Sequence, residues 1–295
     1  MNMLFIILSV GIAFSQEAEA HGLADIQPLP WVWTFEPWVL ACLLASAYGY
    51  GKGVLRLWRK AGIGHGVSRS QAACFSFGWL ALGVALCSPI DTLSGWLFSA
   101  HMLQHEILMI IAAPLIVAGR PLGAWAWALP ESCRHRLHFA THMRWLRLGW
   151  RWLTAPLSAW WLHALALWLW HIPALFQAAL RNEGIHVLQH ASFFLSALLF
   201  WWAVINGMHT AQRGWSMLLV FTTMLHTAAL GTLLTLSTAI WYPAYLRPTT
   251  ALGLDLLEDQ QLGGLIMWVP ASLAYLLVAL FISLRWLLPQ PGTDR

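Results

Sequence analysis

Residues 98–119 read FSAHMLQHEILMIIAAPLIVAG. After Glu106, the stretch 107–118 contains no charged or hydrogen-bonding side chain, which suits a helix crossing hydrocarbon. Ahead of it stand His101 and His105, four residues apart, so a helix carries both imidazoles on one face. The arrangement recurs at His186 and His190, again inside an apolar stretch. A polar, titratable side chain at membrane depth is costly, and it is retained mainly where it is paired, ligated or used. Two such pairs point to a metal or cofactor site within a membrane.

Composition agrees. Of the 295 residues, 59% are hydrophobic and 9% charged, against roughly 25% charged in a soluble domain. The expected fold class is all-α, a polytopic membrane helical bundle with seven transmembrane helices. The formal charge of +4 carries no implication of nucleic-acid binding, because the basic residues collect in loops on one side. Cys42, Cys74, Cys87 and Cys133 form no CxxC pair, which argues against a thiolate metal site. Cys42 and Cys87 fall near one membrane face. A disulfide between them is one reading, and buried small hydrophobes are the preferred one.

Residues 1–20 read as a signal peptide: a short apolar stretch at 4–14, then Ala18-Glu19-Ala20 as a small-x-small cleavage site, though without a basic start. The rest, 21–295, reads as a single seven-helix membrane domain, with spans near 37–57, 70–88, 94–118, 156–180, 184–206, 214–240 and 260–288. Pro173 is expected to end or kink the fourth, and Pro114 and Pro270 to kink the third and seventh. Of the 16 basic residues, Arg181 and Arg247 alone fall on one side and the other 14 on the opposite side. That split predicts an N-out, C-in topology. The long basic connection 120–155, with Trp145, Leu146, Leu148, Trp150 and Trp152, is expected to lie against the inner leaflet.

Threaded this way, His101, His105, His171, His186 and His190 share the outer half of the membrane. His226 sits mid-span in the sixth helix, and Asp259 and Met267 approach from the seventh. Imidazole suits copper and zinc, and thioether favours Cu(I). Glu106, Gln104 and Gln189 are candidates to fix a ring tautomer. His163 reads as structural, and His65, His135, His138, His142 and His209 as solvated loop residues. The pairs lack the HExxH glutamate, so a zinc protease is not supported. A single bis-histidine haem b between the third and fifth spans is the alternative cofactor. Were Ala20 the last residue removed, His21 would offer an amine titrating near about pH 7.7–8.0 and an imidazole to one Cu(II). A flexible, unliganded terminus is the competing reading there.

Four segments also carry a likeness. Phe98 to Leu122 (FSAHMLQHEILMIIAAPLIVAGRPL), Trp168 to Leu180 (WLWHIPALFQAAL), His186 to Phe194 (HVLQHASFF) and Asp259 to Trp268 (DQQLGGLIMW) resemble the CtaG family of cytochrome c oxidase assembly factors. The matching positions are His101, His105, His171, His186, His190, Asp259 and Met267; Phe176 stands where the family often has Tyr, and Gln189 where Glu is common. The resemblance implies a non-enzymatic role in maturing haem-copper oxidases, with copper bound and handed over. It implies as partners the oxidase subunits and periplasmic copper chaperones, and as location a bacterial inner membrane with the metal site towards the periplasm. The rival readings are a b-type haem electron carrier, a metal-free assembly scaffold and a transporter with a histidine proton relay.

Overall fold

The fold comes from a computed structural model that describes residues 31–208 and 212–287. The segment read as a signal peptide, His21 and His209 lie outside the described residues. Among the described residues every regular element is helical. Six continuous helices are long and apolar enough to span a bilayer: α1 (Pro37–Ala61), α2 (Arg69–Cys87), α3 (Phe98–Ala118), α9 (Glu183–Gly207), α10 (Arg213–Thr235) and α11 (Leu256–Leu287). Between α3 and α9 run α4 (Pro121–Ala128), α5 (Glu131–His142), α6 (Arg144–Leu153), α7 (Pro156–Trp170) and α8 (Pro173–Arg181). Helices α7 and α8 meet at 77° and give a seventh span if the bent pair is one crossing. The chain is a multi-pass membrane protein. Leu44, Phe77, Leu218 and Leu273, each about half or more exposed, face outward where only lipid would cover them.

Local sequence sets the boundaries. Ser68 and Gln71 form a reciprocal capping box at the start of α2. Asn182 Oδ1 accepts from the Ile185 amide to start α9. Proline opens α1, α7 and α8, where its missing N–H costs nothing. At Pro173 the expected interruption is a full break: His171 caps α7, its backbone amide donating to Leu167 O, and its ring Nδ1 lies 2.7 Å from the same carbonyl. Pro270, by contrast, sits inside an uninterrupted α11.

The third span departs most from a plain helix. Residues 94–97 are not part of it: a short helix Pro89–Ser94 and a tight turn precede Phe98. Residues Ile107–Ala112 then form a π turn, with the Ala113 amide donating to Leu108 O. In that register Met109 O would face the nitrogen of Pro114, which has no hydrogen. The Trp201 indole from α9 donates to it instead, at 2.8 Å. The expected Pro114 kink thus takes the form of a wide turn whose orphaned carbonyl is satisfied from a neighbouring helix.

Packing places the site. The N-terminal half of α3 lies on α11, its C-terminal half on α2 and α9, and α7 closes against α9 and α10. Helices α10 and α11 make the closest pair. A Cβ on Gly231 would stand 2.7 Å from Trp268 Cβ and 2.9 Å from Gly264 O, so small residues set that approach. Helices α5 and α6 bury no residue, and α6 shows Trp145, Leu148 and Trp152 on its surface, in keeping with an interfacial position. All four cysteines are free.

Candidate metal centre

Both histidine pairs begin four residues into their helices: His101 in α3 from Phe98, His186 in α9 from Glu183. A rise of about 1.5 Å per residue therefore sets the two pairs at matching depth below their helix starts. The start of α3 is held by Asp259 of α11. Its carboxylate accepts from the amides of Phe98 (2.7 Å) and Ser99 (3.3 Å) and from the Ser99 hydroxyl. These are the donors that a helix leaves without partners at its first turn.

The four imidazoles meet. Ring centroids are 4.4 Å apart for His101 and His105, 4.1 Å for His186 and His190, 5.5 Å for His101 and His186, and 5.0 Å for His105 and His190. One nitrogen from each of His101, His186 and His190 lies within 4.8 Å of the others. Two nitrogens bound at about 2.0–2.1 Å to one tetrahedral or trigonal ion stand roughly 3.3–3.6 Å apart, so small side-chain rotations would close the set. His101 and His105 are fully buried. Nε2 of His101 and His190 and both nitrogens of His105 have no hydrogen-bond partner. Buried polar nitrogens without partners are costly, and a metal ion is one way to satisfy them.

A residue that sequence reasoning missed sits against His101. Tyr245, in the turn after α10, donates its hydroxyl hydrogen to Ser94 O at 2.8 Å, and the same oxygen lies 3.1 Å from His101 Nδ1. Having given its one hydrogen to Ser94, the phenol can only accept from Nδ1–H. That pairing favours the tautomer in which Nδ1 carries the hydrogen and the unpartnered Nε2 keeps its lone pair, the form in which a histidine can bind a metal. Burial pushes the Tyr245 phenol well above its usual value, with the charge of Asp259 and then Tyr242 adding, so it keeps that hydrogen at ordinary pH.

Other expected residues lie nearby without joining the three. His171 sits beyond Phe176 and Phe193, with Nε2 unpartnered. Asp259 is engaged at the α3 cap, and Met267 and Met102 pack in the apolar core with Phe98. Gln104 donates to Ala85 O and to Asp91 rather than to an imidazole. His163 contacts the Ser196 hydroxyl at 3.1 Å, and His226 lies against Trp160 in that separate layer. A cavity of about 310 Å³ runs from Glu36, Asp91 and Glu183 at the helix ends down to His101, His186 and His190.

Comparison with known proteins bears on this arrangement. The family described as cytochrome c oxidase caa3 assembly factor matches residues 48–288. Similar curated proteins include uncharacterized proteins of Mycobacterium bovis, 24% identical over 266 residues, and of Mycobacterium leprae, 26% identical over 267 residues. Each alignment covers 86% of this chain and 39% of the relative, so the chain spans about two fifths of their length. No solved structure matches the chain.

Proposed function

Because this chain belongs to the cytochrome c oxidase caa3 assembly factor family, we propose that it serves oxidase assembly by holding Cu(I) between His101, His186 and His190 and passing it to the oxidase. The observation that carries the reading is the three-imidazole cluster, within 4.8 Å and containing unpartnered buried Nε2 atoms. Neutral imidazoles suit copper, and a single positive charge is less costly to bury than a double one. His105, its ring against both His101 and His190, is a spare donor for stepwise ligand exchange. Copper is cargo here, and transfer needs ligands that can be given up one at a time.

The distribution of basic residues supports the N-out, C-in orientation, which would put this cluster on the periplasmic side of a bacterial inner membrane. Oxidase subunits are the proposed recipients, and periplasmic copper chaperones the proposed donors. Haem b fits less well. The His101 and His190 ring centroids are 5.6 Å apart, with His105 and His186 each packed against both, which leaves little room for a porphyrin between them.

Copper counting on the purified chain tests the proposal. After anaerobic loading with Cu(I) and desalting, about one copper per chain is expected, falling towards zero in a His101→Ala, His190→Ala variant. A loaded protein without copper refutes the carrier role, and a Soret band would replace copper with haem. Normal oxidase assembly in cells carrying the double variant would leave a metal-free scaffold.

A further inference from the structure

The three imidazoles cover only part of a copper ion's surroundings. His101, His186 and His190 all line the cavity described above, so the position opposite them opens into it. His105 does not line it. Its walls are apolar, formed by Val39, Leu82, Leu86, Val187, Ala191 and Phe194. Among the described residues, neither methionine nor cysteine lines it. Met102 and Met267 are in the core with Phe98. A soft ion such as Cu(I) favours sulfur, and the described residues supply none on the open side.

The mouth adds a second constraint. Among the described residues, Asp91 and Glu183 stand there beside Glu36, with one cation, Arg181. The Asp91 carboxylate receives neutral donors, the Thr34 hydroxyl at 2.8 Å and the Gln104 amide at 2.7 Å, so these bonds leave its charge in place. An acidic rim above apolar walls complements a segment that carries positive charge outside and an apolar side chain inward. At about 310 Å³ the space is at the small end of ligand pockets, roughly 300–1,000 Å³, and suits one inserted side chain.

We propose that this cavity receives the thioether of a methionine presented on a basic segment of a partner protein, completing the copper site for transfer. The proposal rests on the copper reading above. A Cu–S bond forms at the open position; the thioether is neutral, and no proton or electron moves. Release then breaks the Cu–N bonds one at a time, each imidazole regaining its lone pair as the ion leaves with the sulfur. The apolar walls give water few partners, so a neutral sulfur side chain displaces little hydration on entering.

The test uses the full chain loaded with Cu(I) and the peptide acetyl-Lys-Met-Lys-amide as probe, read by copper-edge X-ray absorption and by titration. A copper–sulfur shell should appear with this peptide and be absent with its norleucine analogue. Acetyl-Glu-Met-Glu-amide should bind about tenfold more weakly or worse, because of the rim charge. Leu86→Trp, which fills the cavity from α2, should retain copper but lower peptide affinity by about tenfold or more. Leu82→Trp is the second wall variant, should the first fail to fold. A nitrogen-only shell at saturating peptide overturns the proposal. So does sulfur bound before the peptide is added, equal binding of the acidic and basic peptides, or unchanged affinity in the wall variants. A chain that takes up no copper at all overturns the carrier reading as well, which separates the two failures.

Discussion

Replacing Tyr245 by Phe removes one oxygen and leaves the ring. That oxygen is the acceptor for His101 Nδ1–H and the donor to Ser94 O, at 3.1 and 2.8 Å. The Ser94 carbonyl and the His101 ring would each lose the phenol as a partner, at up to about 1–3 kcal/mol before they relax toward each other. The effect on metal binding comes from losing control of the His101 ring. Removing a group that orients a ligand histidine typically costs 10–100-fold in metal affinity, roughly 1.4–2.7 kcal/mol. Competition against a coloured Cu(I) chelator measures that loss. Tyr242→Phe is the matched control: the Tyr242 hydroxyl donates to His171 O at 2.9 Å, away from His101, His186 and His190. Both variants should melt at lower temperature, and Tyr245→Phe alone should lose copper affinity. Since burial raises both phenols, ionisation of Tyr245 should not weaken copper binding below about pH 10, the usual tyrosine value. Equal copper affinity in the two variants would refute the assigned role of Tyr245.

His105→Ala should retain copper stoichiometry and lose less than about tenfold in affinity, under the range typical of an orienting group; chelator competition measures it. Asp259→Ala removes the acceptor for two amides and a hydroxyl at the start of α3 and should cost about 2–3 kcal/mol of stability by thermal unfolding, with copper stoichiometry retained at low temperature. Copper lost at unchanged stability would instead make Asp259 a ligand. Gly231→Ala puts a methyl against Trp268 and the Gly264 carbonyl and should destabilise by about 1–3 kcal/mol, measured as a melting shift in detergent.

The spans and the shared depth of the two HxxxH pairs were legible because both follow from period and topology alone; which of the five histidines meet was not, because pattern does not fix helix rotation. Four-residue spacing fixes a face, and antiparallel threading fixes a depth. Tyr245 was not legible. It lies 144 residues from His101 in an irregular turn, where no periodicity announces a partner. Asp259 shows the opposite difficulty. Reading 94–118 as one continuous helix leaves no free amides at Phe98 and Ser99, so a buried carboxylate beside histidines reads as a ligand. Once the turn at Gly95–Leu97 is seen, the same carboxylate has three donors to satisfy. The seventh span was legible as hydrophobic length, but a 77° break is set by how α8 packs on α9, which composition does not encode.

The π turn at Ile107–Ala112 lets the two ends of α3 be phased independently. One extra residue in the turn advances the helix by about 100°, so the end bearing His101 and His105 need not share the facing that α2 and α9 impose on the other end. Ligand placement and bundle packing become separate choices along a single helix. Trp201 latches that setting from across the bundle. Removing one residue from the turn would swing both imidazoles away from α9 while leaving the hydrophobic span almost the same length.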